Sequence, residues 1–413
     1  MSDLQKDLQI LRPLAERYGE IAHLDVQHER IERYYKTVSM EDVRPVVLIA
    51  EVPWGEIGDE ALRNRCETEE CRSLEGRLRR TLFQWEHFQV DLVVPSVFRI
   101  HKHIDSSGVG LEVTEKRIEA ESGSYAAAHA YTDQLTTDED LEKLHPPVIT
   151  YDKEGTEREA DLARDVFDGI MPVELHGTNF QYNIWDRIST FRGVDALLMD
   201  LAMRPDFMHR TAKKFQEIAA AMGRQYVEQN LLDTDPIILH CTPACARELP
   251  APDYDGRVRL KDVWGRCSAQ IFSAVSPAMH DEFDLEYNQE VFGGCGLLYY
   301  GCCEPLDIKV DILRKRFTNL RKISITPWAD PEVAARKIGS DFVLAAKPNP
   351  AFVNSPTFDP APVEKEMVRY LEPIKRYGTT TEFVLKDIST IAKNPANLTK
   401  WAETVNRVID RYY

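Results

Sequence analysis

The residues GLLYYGCCEPLDIKVDILRKRFTNLRKISITPWADPEVAARKIGSDFVLAAK (296–347) decide the fold. GLLYYG (296–301) is a short apolar run bounded by glycines, which reads as a strand. PLDIKVDILRKRF (305–317) carries helical spacing behind a leading proline, and LRKISIT (320–326) is a second strand. DPEVAARKIG (330–339) is a helix with an Asp-Pro start and a glycine stop, and FVLAAK (342–347) is a third strand. Apolar strands separated by helices mark a parallel sheet covered on both faces.

The alternation continues in both directions. Downstream come a helix in VEKEMVRYLEPIKRYG (363–378), a strand in TEFVLKD (381–387) and a terminal helix in LTKWAETVNRVIDRYY (398–413). Upstream, SPAMHDEFDLEYNQEVF (276–292) reads as a helix entered at Ser276-Pro277, and PIILHCT (236–242) as a strand. Helical patterns fill 193–230, with Pro205 as a first-turn residue and Met203 and Met208 as core residues. PVELHG (172–177), FQVDLVVPSVF (88–98) and the start of PVVLIAEVPWGEIG (45–58) supply further strands. Eight strands, beginning near 45, 90, 172, 236, 296, 320, 342 and 381, predict an α/β protein of the (β/α)8 TIM-barrel class. An open doubly wound sheet is the competitor, but no strand feeds a Gly-x-Gly-x-x-Gly turn. Residues 1–413 form one domain on this reading. Residues 1–40 are an added N-terminal helical extension, and 101–150 a decorated excursion.

Bulk properties narrow the function. The net charge is -17, which argues against a nucleic-acid or anionic-membrane surface. No run of eighteen apolar residues suggests a membrane span, and the N-terminus lacks the apolar core of a signal peptide. A cytoplasmic enzyme acting on a small molecule is expected, with its eight cysteines as free thiols.

Both α/β folds bind ligands at the carboxyl ends of strands. Those ends carry Glu51, His176, His240 with Cys241, Cys302-Cys303-Glu304, Asp330, Lys347, and Lys386 with Asp387. Soft thiolates suit zinc, and a carboxylate or imidazole completes a tetrahedral site with one open position. Cys302, Cys303, Glu304 and His240 are therefore the candidate metal ligands, against the competing account of one inert buried cysteine beside a solvent-side one. Glu304, His176 and Lys347 are the candidate catalytic residues. His176 shares a strand face with Glu174, and Lys347, ahead of a stiff Pro-Asn-Pro loop, can pair with a substrate carboxylate. Asp330 reads first as a helix cap, and His101 and His103 as surface or lid residues. Cys66 and Cys71 lie too far upstream to join the same mouth.

WDRISTFRGVDALLMDLAMRPDFMHRTAKKF (185–215), WGRCSAQIFSAVSPAMHDEF (264–283) and GLLYYGCCEPLDIKVDIL (296–313) resemble segments of the uroporphyrinogen decarboxylase superfamily, over roughly residues 170–390. In that family the second stretch is an acidic-Gly loop leading to a Ser-Pro helix. The resemblance implies a (β/α)8 barrel and one of two chemistries, cofactor-free decarboxylation of a tetrapyrrole or zinc-dependent methyl transfer involving a corrinoid. The decarboxylases carry an Arg-Gln-Ala-Gly-Arg signature after the first strand, whereas EVPWGEIG (51–58) has acids and no arginine. The likeness is therefore nearer the corrinoid-dependent methyltransferases. Leu298 and Tyr300 stand where that branch has its His-x-Cys pair, with Cys302, Cys303 and Glu304 just downstream. The expected function is a zinc-dependent methyltransferase moving a methyl group between a small substrate or thiol and a corrinoid on a partner protein, with a homodimer also implied. The alternative is a metal-free decarboxylase or lyase of the same superfamily acting on a small carboxylate.

Overall fold

The computed structural model of the protein describes residues 3–118 and 128–413. Its centre is a seven-stranded, all-parallel sheet. In spatial order the strands are Val46–Ile49, Thr381–Leu385, Val343–Ala346, Leu320–Ile325, Leu297–Tyr300, Trp264–Cys267 and Phe180–Gln181. Val47 lies opposite Phe383, Ile323 opposite Leu344, and Arg266 opposite Tyr299. Five of these strands, those starting at Val46, Trp264, Leu297, Val343 and Thr381, are buried at every position. That is why they do not alternate between an apolar and a polar face. The helices Val310–Arg316, Pro331–Ile338, Pro360–Tyr377 and Ala396–Ile409 cover the sheet through Leu313, Ala335, Leu371 and Val405. Asp330 caps its helix by accepting the Glu332 amide at 2.9 Å, and Gly339 ends it at φ +55°. This is a TIM-barrel-like α/β arrangement of parallel strands and flanking helices.

The N-terminal half departs from the expected regular alternation. Residues 88–94 form no strand ladder. Asp91 instead grips the first strand, its amide donating to the Val47 carbonyl at 2.8 Å and its carboxylate accepting the Val47 amide at 2.9 Å. A side chain replaces the partner carbonyl there, and Pro95 follows without an N–H. The strand resumes at Phe98–His101 and pairs in parallel with Val173–His176, as a sheet separate from the seven strands among the described residues.

PIILHCT is not a parallel strand. Ile238–Leu239 turns back on Thr242–Pro243 in an antiparallel pair, with His240 at φ +58° in the turn. Trp264–Cys267 fills the place in the sheet, where the family resemblance suggests a loop. Its composition hides it, because a glycine, an arginine and a cysteine are poor strand formers by pattern. Gly265 is required by close approach, since a Cβ there would lie 2.9 Å from Cys295 Sγ.

The helices Asp3–Ala22 and Asp25–Val38 are the expected extension. Buried Asp7 anchors the first by accepting the amides of Glu67 and Thr68. Cys66 and Cys71 pack in the small core beneath it. The excursion holds two antiparallel ladders, His103–Ser106 with Ile149–Asp152 and Glu115–Ile118 with Ala128–Tyr131. Met208 is buried, but Met203 is 74% exposed, contrary to its reading as core. Among the described residues no helix is long and apolar enough to cross a membrane.

Candidate active site around Cys302

Four loops at the carboxyl ends of strands meet at one point. The Leu297–Tyr300 strand leaves through Gly301 at φ +102°, where a Cβ would sit 2.5 Å from Leu306 Cδ1. That turn delivers Cys302 and Cys303. Ser324, from the next strand, donates to the Cys302 carbonyl at 2.7 Å and fixes the loop. The Thr381–Leu385 strand delivers Lys386 and then Asp387 at φ +55°, and the first strand delivers Glu51 at φ +54°. The Asp387 amide donates to Glu51 Oε2 at 3.0 Å. His240 comes in from its turn. Left-handed backbone at Glu51, His240 and Asp387 is uncommon for non-glycine residues, and strain of this kind costs about 1–3 kcal/mol each and clusters at active sites.

The two sulfurs are 3.5 Å apart, and His240 Nε2 is 3.5 Å from Cys302 Sγ. Lys386, 2% exposed, reaches both, donating to Cys302 Sγ at 3.2 Å and to Cys303 Sγ at 3.6 Å. Cys303 Sγ also lies 3.0 Å from Asp387 Oδ2, which competes with Cys302 Sγ for the single thiol proton. This geometry drives the two thiols apart in acidity. The hydrogen bond from Cys303 lowers the Cys302 pKa most; burial opposes it, and His240, Lys386 and buried Arg266 lower it further. Cys303 is pushed up by the same hydrogen bond, by burial and by the charge on Cys302. Burial disfavours the Lys386 ammonium, but Cys302, Cys303 and Asp387 outweigh it and hold the lysine protonated above its ordinary range. These contacts favour the charged form at Cys302 and the neutral form at Cys303, with the Lys386 ammonium 3.2 Å from the Cys302 sulfur.

Beside this pair lies a cavity of about 170 Å³, lined by Cys302, Cys303, Lys347, Lys386, Asp387 and Trp328 among others. Trp328 stands at its rim, 73% exposed. Lys347 is 3% exposed, and its Nζ has no hydrogen-bond partner. An unsatisfied buried donor costs about 1–3 kcal/mol, more when charged.

The other candidates divide. Glu304 does not face the thiols. Its carboxylate is fully buried and accepts the Cys302 amide at 2.9 Å and the Ala269 amide at 3.1 Å. It shapes the loop from behind, because two residues on from Cys302 a carboxylate can fold back onto the backbone. His176 is engaged elsewhere, with Nδ1 3.3 Å from Asp233 Oδ1 and Nε2 3.8 Å from Glu174 Oε2. Among the described residues no three His, Cys, Asp or Glu side chains are grouped to hold a metal ion. The set assigned to zinc loses Glu304, and the positive charge beside the sulfurs comes from Lys386. As they stand, the residues do not fit that metal site.

Sequence reasoning missed Arg266 and Asp186. Arg266 sits 3% exposed on the unrecognised strand and donates to the Gly301 carbonyl at 3.4 Å. Asp186 lies behind Glu304, accepting from Ser268 Oγ and the Gln270 amide. Burial, then the nearby Glu304, push its pKa up to about 7. Trp-Asp-Arg in a helix carries no signal for that position.

The sequence matches no family model and no curated protein sequence. Among solved structures, the chain is weakly similar to a methyltransferase from Methanosarcina mazei, at 12% sequence identity over 93% of this chain and 99% of that one, with a TM-score of 0.48.

Proposed function

We propose that the protein is a group-transfer enzyme whose nucleophile is the Cys302 thiolate, with methyl as the group transferred. The single observation that carries this is the buried Cys302 sulfur 3.2 Å from the Lys386 ammonium, beside a small cavity at the strand ends. The identity of the group comes from the sequence resemblance alone. In the first half-reaction the Cys302 sulfur attacks the methyl carbon of a small donor, and the leaving group departs with the bonding pair. In the second, a stronger nucleophile takes the methyl from sulfur and the thiolate returns. The corrinoid of a partner protein is the counterpart that the resemblance implies. Lys386 stabilises the thiolate, and Cys303 with Asp387 fixes its direction. Cofactor-free lyase chemistry on a small carboxylate keeps Lys347 but loses His176 to Asp233. We also read the two parallel sheets as arcs of one (β/α)8 barrel, with Val173–His176 and Phe180–Gln181 as two pieces of one interrupted strand and Phe98–His101 between it and Val46–Ile49.

The test is alkylation by iodoacetamide with peptide mapping. Cys302 should react at least roughly tenfold faster at neutral pH than any other cysteine, at a rate nearly flat from about pH 6 to 9. A rate that rises through the ordinary thiol range would remove the nucleophile. Metal analysis runs beside it. Stoichiometric zinc lost in Cys302→Ser would show Lys386 displaced and the thiolates metal-bound, through Cys302, Cys303 and His240.

A further inference from the structure

We infer that the cavity beside Cys302 takes a small substrate bearing a carboxylate, and that Lys347 seats it. The orientation of that substrate rests on the thiolate reading above; the anion seat does not. Four lysines are buried: Lys309, Lys322, Lys347 and Lys386. Lys309 donates to the Phe272 carbonyl at 2.8 Å, Lys322 to Glu382 at 2.6 Å, and Lys386 to Cys302 at 3.2 Å. Lys347 Nζ alone among them has no hydrogen-bond partner; it lies over the face of Tyr299, 5.8 Å from the ring centroid. A buried ammonium without an acceptor is completed by an anion arriving from outside.

The lining selects the anion. Pro327, Pro348 and Pro350 form part of the wall, and proline offers no backbone N–H. A phosphate seat would need a nest of amides or a free guanidinium fork. The nearby guanidinium, Arg266, is directed to Asn183 and the Gly301 carbonyl. Lys386 and Asp387 also line the cavity but are paired with each other and with Cys302, which leaves Lys347 as the unanswered charge beside prolines and Trp328; one free ammonium there suits a carboxylate on a short carbon chain. About 170 Å³ is roughly five or six water volumes, so the ligand is small. The same cavity exposes Cys302, which places an electrophilic carbon close to the carboxylate within reach of the sulfur.

Iodoacetate and iodoacetamide test this, because they differ in little but the charge. Relative to a free peptide thiol, Cys302 should favour iodoacetate by roughly tenfold or more. Lys347→Met should abolish that preference, read as the iodoacetate-to-iodoacetamide rate ratio, and Lys347→Arg should retain part of it. An unchanged preference in Lys347→Met, or none in the wild type, overturns the seat. Should Cys302 resist both reagents, the thiolate reading falls, and calorimetric binding of propionate then decides the seat by itself. Propionate bound by the wild type and lost in Lys347→Met supports it; equal binding, or none in either, overturns it. Inorganic phosphate bound in preference to propionate overturns the carboxylate assignment. Lys347→Met should melt no lower than the wild type, since it removes an unsatisfied group; a clear loss of stability would mark Lys347 as structural.

Discussion

The Cys302 group and the His176 group both sit at strand ends and both hold reactive residue types, yet they are opposites. His176 is closed in by Asp233 and Glu174, and Asp233 also accepts the Asp235 amide at 3.0 Å. Arg99, on the neighbouring strand, pairs with Asp235 at 3.0 Å. The charged groups there are answered within the protein. Around Cys302 the thiolate leans on one lysine, a second lysine is unanswered, three residues hold left-handed backbone, and a cavity adjoins them all. Reactive residue types alone do not locate chemistry; unsatisfied groups beside open space do.

The sharpest way to break this contrast is Lys386→Met. Without its counter-ion, Cys302 should lose up to roughly thirtyfold in alkylation rate at neutral pH. Its profile should begin to climb with pH, toward an ordinary thiol near about 8.5, because the cation that held the thiolate at lower pH is gone. An unchanged pH–rate profile would assign the thiolate to other neighbours.

Glu304→Ala should act on stability instead. Two buried amides lose their acceptor, at about 2–4 kcal/mol in denaturant unfolding. Glu304→Gln, which keeps one carbonyl oxygen, should lose less. A variant of normal stability that had lost a bound metal would return Glu304 to the role of ligand. On the quiet side, His176→Ala should cost about 1–2 kcal/mol, by leaving buried Asp233 short of a partner, and leave Cys302 alkylation within about twofold. A large drop in reactivity would join the two groups into one site.

The smallest effect concerns Asp186. Its pKa is raised in the folded chain to about 7, so the folded state keeps a proton that the unfolded state releases near about 3.9. Its contribution to stability is full below that unfolded value and is lost as pH rises through 7. Asp186→Asn should flatten the fall in melting temperature between pH 5 and 8. An identical slope in the variant would show that Asp186 is ionised throughout.

The sequence by itself determined the C-terminal half. From Leu297 onward the strands are short, buried and mostly apolar, and each helix carries its own amphipathic stripe and end signals, so local pattern and burial agree. It also placed Cys302, Cys303, Lys347 and Lys386 at strand ends, because that position follows from counting elements. Only the tertiary structure decided the rest. Trp264–Cys267 is a strand because its neighbours supply the ladder, and residues 88–94 fail to be one because Asp91 takes the ladder bond with its side chain. Nor could spacing tell that Glu304 turns back onto amides while Lys386, from a strand far along the chain, brings the charge to the sulfurs. Hydrophobic periodicity is a property of neighbours in sequence, whereas the partner of a buried charge is fixed by neighbours in space.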